Sequence, residues 1–162
     1  MADSKFAKYI VTEITPSVKK LSYEGKPKDI PADKATRLFW LDDYIIKGAF
    51  YTESVWIWKG SDEVVEQAHT HDFDEVISFL GTNFEDPYDL CGEIEIWLGD
   101  EKYILTKSGM IFVPKGLKHC PLIIRRVDRP IFHFTAGPAK AHLQELNRER
   151  SKISGEIIFG RK

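Results

Sequence analysis

Two short segments of the chain carry side chains that typically bind metal ions. The first segment, Gln67–Glu75, contains His69, His71 and Glu75. On a strand, residues two apart point to the same face, so His69 and His71 can present both imidazoles to one ion. A short turn after His71 would let Glu75 approach from the neighbouring strand. These three residues are therefore candidate ligands of a metal ion.

The second segment, Gly109–His119, predicts a strand, a turn containing Pro and Gly, and a new strand that starts with His119. It could deliver a third imidazole to the same ion. Three neutral nitrogens and one carboxylate oxygen suit Mn, Fe, Co, Ni, Cu or Zn, and do not suit Ca or Mg. The sequence thus predicts one divalent transition metal, with further coordination positions open to water or substrate.

The two segments together resemble the two motifs of the cupin superfamily. The first motif joins a His-x-His to a Glu and a later Gly, and here it reads HTHDFDEVISFLG; the second reads PKGLKH. The resemblance covers residues 56–135 and implies a small single-domain cupin, a monocupin, with metal-ligand roles for His69, His71, Glu75 and His119. Two positions depart from the family pattern. The Gly that usually opens the first motif is not at its customary place, and Ile123 replaces a frequent Asn.

Two further residues are candidate catalytic side chains. His133 could line the pocket as a proton shuttle, although a strand histidine hydrogen-bonded within the core explains the sequence equally well. Gln67 has the same strand parity as His69 and His71. It could contact the substrate or support a ligand, and a role in filling the barrel is as plausible.

Aromatic and basic residues near these segments leave alternatives open. Trp56 and Trp58 could wall the pocket, but aromatic residues at strand spacing favour the core. Arg125 and Arg126 point to opposite faces of a strand, so one of them could face inward and clamp a substrate carboxylate, or both could be solvated.

The remaining candidates are a loop and a thiol. The loop of residues 82–91 could be a lid, a dimer contact or a plain surface loop. Cys120 follows His119 directly, so we expect its side chain to face away from the metal.

The order of elements predicts an all-β fold, because short strand-like runs alternate with turn residues such as Gly99–Asp100. We expect a cupin-type antiparallel barrel, a double-stranded β-helix or jelly roll, in one domain over residues 1–162. Its parts are an N-terminal arm (1–36), a barrel core (37–135) and a short C-terminal helix with a tail (136–162). The expected strands are residues 9–14, 37–40, 44–51, 53–59, 64–71, 75–80, 93–98, 102–106, 110–113, 119–126 and 131–135.

Composition restricts the partners. The 23 basic and 25 acidic residues nearly cancel, so the chain lacks the positive excess that nucleic-acid binding needs. No apolar run has the length of a signal peptide or a membrane span. Only two cysteines occur, Cys91 and Cys120, which suits free thiols in the cytoplasm. We expect a cytoplasmic homodimer that binds a small molecule, with no nucleic-acid or membrane partner.

The reaction is less determined than the site, because one fold supports many reactions. An open metal position favours a small oxygen-rich substrate of the hydroxy acid, keto acid or enediol type. We expect non-redox lyase, isomerase or decarboxylase chemistry, in which the ion acts as a Lewis acid. A metal-dependent dioxygenase and a noncatalytic small-ligand-binding cupin are the alternatives.

Overall fold

The computed structural model describes residues 5–14, 31–43 and 45–138. Nine strands make up most of the described chain. They are β1 (Ala35–Leu41), β2 (Tyr51–Ile57), β3 (Val64–Glu66), β4 (Glu75–Leu80), β5 (Asp89–Leu98), β6 (Glu101–Lys107), β7 (Gly109–Val113), β8 (His119–Val127) and β9 (Ile131–Gly137).

The strands form two antiparallel sheets. The first sheet has the order β1-β2-β9-β4-β7 and the second the order β3-β8-β5-β6. From β3 onwards the chain crosses repeatedly between the sheets, so β9 lies between β2 and β4, and β8 lies between β3 and β5. This interleaving is typical of jelly-roll architectures. The prediction of an all-β fold with antiparallel strands is therefore confirmed, in the form of two sheets.

One apolar cluster joins the two sheets face to face. It includes Val55, Ile57, Ile77, Phe79, Val113 and Ile131 from the first sheet, and Leu90, Ile94, Ile96, Cys120, Leu122 and Ile124 from the second. The alternation along β2, where every second side chain is buried, shows why: a period of two gives each strand one inward face. The burial of these side chains is the main stabilising contribution to the fold.

Most predicted strands are confirmed with small changes of boundary, and β4 has the predicted bounds. The predicted strand over residues 9–14 is wrong, because a 3-10 helix, Ala7–Tyr9, precedes irregular backbone there. The predicted C-terminal helix lies outside the described residues. Within the described part of the chain, no helix has the length and apolar character needed to cross a membrane.

The predicted strand over residues 44–51 is also wrong over residues 45–50, and only its last residue, Tyr51, lies in a strand. The fully buried Asp42 accepts a hydrogen bond from the Trp40 indole at 3.0 Å and from the Ile45 main-chain N–H at 3.0 Å. Its main-chain oxygen accepts from the Ile45 and Ile46 N–H groups. An aspartate that satisfies its own neighbouring backbone competes with strand pairing, so the segment turns.

The core assignment of Trp56 and Trp58 is wrong as well. Trp56 lies on the face of β2 opposite to Val55, and Trp58 is 40% exposed. The two rings stack at 5.6 Å between centroids, and Trp56 meets the edge of Phe132 at 5.1 Å. The residues share a face as expected, but it is the outer face of the first sheet.

We predict that Phe79→Ala lowers the free energy of unfolding by about 3–5 kcal/mol. Phe79 is fully buried and stacks on His133 at 4.6 Å between ring centroids, so truncation leaves a cavity. The matched control is Phe84→Ala, because Phe84 is 96% exposed, and its effect should stay within about 0.5 kcal/mol. Urea unfolding measures both. Equal losses in the two variants would contradict the packing described.

Candidate metal centre

Main-chain hydrogen bonds hold the two predicted motif segments together. His69 and His119 exchange both N–H···O bonds, each at 3.0 Å, in an isolated antiparallel bridge. The Gly116 N–H donates to the His71 oxygen at 3.0 Å. Gly116 has φ of +81°, a left-handed conformation that a glycine adopts without steric cost. The Pro-and-Gly turn therefore returns the chain to the His-x-His segment, as the sequence predicts.

The predicted regular strand over residues 64–71 is shorter than expected. β3 ends at Glu66, and of the two motif histidines only His69 keeps a single bridge. Strand parity therefore does not orient His69 and His71. Their orientation comes from the pairing of their segment with the turn before β8.

Glu75 and His119 lie at the ends of strands in different sheets. Glu75 is the first residue of β4 and is 7% exposed, whereas His119 is the first residue of β8 and is 1% exposed. The candidate ligands thus meet at one end of the space between the sheets, where both sheets contribute walls and little solvent reaches.

The four predicted ligands and Cys120 form two overlapping groups. In the first, the donor atoms of His71, Glu75 and His119 lie within 4.8 Å of one another. Glu75 Oε2 is 3.1 Å from His71 Nε2 and 3.4 Å from His119 Nε2. In the second, donor atoms of His69, His119 and Cys120 lie within the same distance. His119 belongs to both groups.

All three histidines have the same tautomer by geometry. The Nδ1 atoms of His69, His71 and His119 lie 2.7, 2.8 and 3.1 Å from the main-chain oxygens of residues 67, 73 and 117. A carbonyl oxygen only accepts, so Nδ1 carries the hydrogen and donates it. In the neutral ring, Nε2 then has a free lone pair, and a nitrogen in this form can ligate a metal ion.

These lone pairs face a carboxylate, which fits a bound cation. Without a positive charge between them, Nε2 of His71 and Oε2 of Glu75 would repel each other. In the described part of the chain no hydrogen-bond partner with acceptable geometry reaches His119 Nε2, although the atom is buried. An unsatisfied buried polar atom is costly, and a divalent ion would satisfy it together with its neighbours.

The ionisation of the site also favours cation binding. Burial raises the pKa of Glu75, but His119 and His71, whose rings in the protonated form donate to the carboxylate and attract it, outweigh burial and lower the pKa to about 2. A bound cation would take the place of those protons. Burial lowers the pKa of His69 below its usual value. At neutral pH the carboxylate is therefore charged and His69 is neutral, the states that a metal ion requires.

The expectation that Cys120 faces away from the site is wrong. Leu98 pairs with His119 while Ile96 pairs with Leu122, so β8 has an extra residue in a bulge. Cys120 lies in this bulge with φ of +63°. Alternation fails there because two consecutive side chains, His119 and Cys120, are both buried, and Cys120 lies on the inner face with Leu122 and Ile124. Its sulfur is consequently close to His69 and His119 rather than on the other face. Burial raises the pKa of the Cys120 thiol.

A row of buried polar side chains continues from the ligands into the interior. The Tyr51 hydroxyl lies 2.9 Å from Thr135 Oγ1 and 3.4 Å from Glu53 Oε2. Burial, then the charges of Glu53 and Glu75, raise the pKa of Tyr51 well above its usual value. The sequence analysis missed these residues. The available signal was the alternation of Tyr51 and Glu53 with Val55 on one face of β2.

The arginine whose side chain is largely buried is Arg37 on β1 of the first sheet, and not one of the two arginines on β8. Arg37 forms an ion pair with Glu53, and the side chains are only 10% and 5% exposed. Arg125 instead binds Asp62 and Glu95, and the exposed Arg126 lies beside Asp128. Neither of the two arginines considered as a clamp reaches the interior polar row, because β8 directs both away from it.

The two predicted catalytic side chains differ in position. His133 lies on β9, where its Nδ1 donates to the Ser78 oxygen at 2.8 Å and its ring stacks on Phe79. Burial lowers its pKa, and the charges of Glu53 and Glu75 act in the opposite direction. The Gln67 side chain is exposed. Its main-chain oxygen, however, orients the ring of His69.

The loop of residues 82–88 lies far from the candidate ligands. It follows Leu80, at the opposite end of β4 from Glu75, a separation of roughly 17 Å along the strand. Phe84 and Tyr88 in this loop are exposed. A cavity of about 270 Å³ opens beside it, lined by Asn83, Asp89, Cys91, Gly92, Thr106, Arg126, Asp128 and Arg129. The loop is thus not a lid over the metal-binding residues.

Comparison with known proteins gives matches only among solved structures. No family model and no curated protein matches the chain. KdgF from Halomonas sp. is 15% identical over 67% of this chain and 83% of that one, with a TM-score of 0.41. An RmlC-like cupin from Shewanella frigidimarina is 18% identical over 67% and 78%, with a TM-score of 0.38. A structure of FeII HppE is 14% identical over 64% and 48%, with a TM-score of 0.41.

These structural neighbours include proteins described as cupins. At these identities and scores, nothing about a reaction follows from the likeness. The chain itself has two interleaved antiparallel sheets and an end of the core where both motif segments meet.

We predict that the purified protein holds about one transition-metal ion per chain and that His119→Ala loses it. Glu75→Gln should weaken binding by more than the roughly 10–100-fold that outer partners of metal ligands contribute, because it removes a direct anionic donor. Glu85→Gln is the control, since Glu85 is exposed. Metal analysis and isothermal titration measure these effects. Unchanged metal content in His119→Ala would contradict the assignment of His119 as a metal ligand.

We predict that the protein loses stability as the pH falls from about 7.5 to about 5.5, and that His133→Gln loses less. The folded-state pKa of His133 is below the usual 6.5, so the unfolded chain binds the proton more readily in this range. Protonation then favours unfolding as the pH falls through 6.5 towards the folded-state value. Urea titrations across the range check this. The same dependence of the free energy of unfolding on pH in the wild type and in His133→Gln would contradict this prediction.

Proposed function

We propose that this protein is a metal-dependent enzyme of the cupin type that acts on a small oxygen-rich substrate by non-redox chemistry. The observation that carries the proposal is that two histidines oriented by main-chain oxygens meet at one carboxylate, with the third motif histidine, His69, oriented in the same way beside His119. Each motif histidine donates its Nδ1–H to a main-chain oxygen, and Nε2 of His71 and His119 lies within 3.4 Å of Glu75 Oε2. Such an arrangement fits a bound ion.

His69, His71, Glu75 and His119 would hold one divalent transition metal. The ion, when bound, supplies a Lewis acid that polarises a substrate oxygen. The substrates that suit such an ion have adjacent oxygens, as in a hydroxy acid, a keto acid or an enediol. Lyase, isomerase and decarboxylase reactions of these compounds all need a proton to move at a defined position.

The interior polar row favours this proton chemistry. The Tyr51 hydroxyl, with its raised pKa, stays protonated and can donate a hydrogen bond to a substrate oxygen. His133 has a lowered pKa and an Nδ1 that already donates to Ser78. Its Nε2 is therefore an acceptor at neutral pH, which suits a general base.

Arg37 gives the row a fixed positive charge. Its guanidinium is paired with Glu53 and lies over the Trp40 ring, with 5.6 Å from Cζ to the ring centroid. An arginine held in this way keeps a defined orientation, and its ion pair places the Glu53 carboxylate beside Tyr51. We assign the pair a positioning role for the Tyr51 hydroxyl.

The homodimer, the cytoplasmic location, the small-molecule substrate and the absence of nucleic-acid and membrane partners stay predictions from the sequence. Dioxygenase activity and ligand binding without turnover are the other outcomes of the assay below. Proton-handling side chains in the interior are the reason that the non-redox reaction stands first.

We predict turnover of one member of a panel of hydroxy acids, keto acids and enediols in the metal-loaded protein under anaerobic conditions. His133→Gln should lower kcat by roughly 100-fold or more, the usual contribution of a general acid or base, with a smaller change in KM. The matched control is His142→Gln, a histidine that belongs to neither motif. Product formation is followed by mass spectrometry or nuclear magnetic resonance.

Oxygen consumption coupled to turnover would replace the proposal with the dioxygenase alternative. Tight binding of a panel compound with no conversion, with or without oxygen, would replace it with a binding protein. Full activity in His133→Gln would remove His133 from the mechanism and leave the metal site as it stands.

A further inference from the structure

We propose that Cys120 is a ligand of the metal ion, so that the centre combines imidazole, carboxylate and thiolate donors. The inference rests on the proposed function, because it concerns the same ion. It changes the chemical class of that ion, since a sulfur donor selects a softer metal than nitrogen and oxygen alone.

The first support is the position of the sulfur. Donor atoms of Cys120, His69 and His119 lie within 4.8 Å of one another, a spacing that one ion between them can bridge with small side-chain movements. Cys120 is 4% exposed and His119 is 1% exposed. His119, which contributes a donor atom to this group, also has a buried Nε2 with no hydrogen-bond partner of acceptable geometry among the described residues.

The second support is the backbone that turns the sulfur inward. The bulge in β8 puts an extra residue opposite the end of β5, and Cys120 adopts φ of +63° there. For a non-glycine residue this conformation is uncommon and costs free energy. Bulges often re-aim a side chain next to a functional site. At this bulge two consecutive side chains, His119 and Cys120, are both buried, and Cys120 shares the inner face of the sheet with Leu122 and Ile124.

The third support is the balance of charge. The histidines are neutral when they ligate, so Glu75 alone leaves a divalent ion with one uncompensated positive charge in a buried place. When Cys120 binds, its S–H bond breaks, the sulfur–metal bond forms, and the proton leaves to solvent. Carboxylate and thiolate then match the two charges of the ion, which lowers the cost of burying it.

The donor set has a consequence for metal preference. Thiolate and imidazole donors suit Zn²⁺, Co²⁺ and copper, whereas Mn²⁺ prefers oxygen donors. The wild-type centre should therefore bind Zn²⁺ or Co²⁺ with far higher affinity than Mn²⁺. In Cys120→Ser the difference between these affinities should be smaller.

The experiment is a titration of the full chain, freed of metal by a chelator, with cobalt(II) chloride. A thiolate ligand gives a sulfur-to-cobalt charge-transfer band in the near ultraviolet, in addition to the weaker visible bands of any bound cobalt. We expect the near-ultraviolet band to grow to one equivalent in the wild type and to be lost in Cys120→Ser.

Cys91→Ser is the matched control, because Cys91 is the second of the two cysteines and is also buried. It lies near the start of β5, whereas Leu98 at the other end of that strand pairs with His119. The separation is roughly 20 Å along the strand. Cys91→Ser should keep the band in full.

The outcomes separate the two proposals. Visible bands without the near-ultraviolet band would overturn the thiolate ligand and leave the metal site standing. No cobalt binding in the wild type would overturn both. Loss of the near-ultraviolet band in Cys91→Ser would assign the band to Cys91 and not to Cys120, and would overturn the inference. If Cys120→Ser does not fold, a band in both the wild type and Cys91→Ser identifies Cys120, which is then the one remaining thiol.

Discussion

The centre depends on the paired main-chain hydrogen bonds between His69 and His119. This bridge joins a loop of irregular backbone to the start of β8, and it does so with main-chain atoms alone. The side chains of both histidines are therefore left to the interior, and Glu75 enters from the other sheet. Together with the bond from the Gly116 N–H to the His71 oxygen, the bridge fixes the distance between the two motif segments where no regular strand does.

Buried polar side chains need hydrogen-bond partners within the protein, and the chain provides them for its histidines in one repeated way. His69, His71, His119 and His133 each donate Nδ1–H to a main-chain oxygen. In each such bond a main-chain oxygen of the loop or strand accepts the hydrogen on Nδ1, which fixes one tautomer of the ring. The same burial that is costly for polar groups thereby produces histidines with defined lone pairs, and it shifts the pKa values of His69 and His133 in the same direction.

Sequence reasoning succeeded where a residue's role follows from local pattern, and failed where backbone irregularity decides. The alternation in β4 and the Pro-and-Gly turn before His119 were readable, because period and turn chemistry are local properties. The bulge at Cys120 was not, since it depends on the register between β5 and β8. The alternation around Trp56 gave the correct shared face, but a period of two does not say which face is inward. Arg37 and Glu53 lie far apart in the chain, and only the β1–β2 pairing brings them together.

The sharing of His119 between the two groups of donor atoms makes the centre unevenly tolerant of mutation. A change at His69 or Cys120 leaves His71, Glu75 and His119 as a complete set of three, and a change at His71 or Glu75 leaves the other set. A change at His119 leaves neither. If an ion is bound as proposed, four of the five positions could therefore vary one at a time during evolution while a set of three donors remains, and single substitutions would change the donor set and with it the metal selectivity. His119 has no such neighbouring alternatives, so selection for metal binding should act on it most strongly.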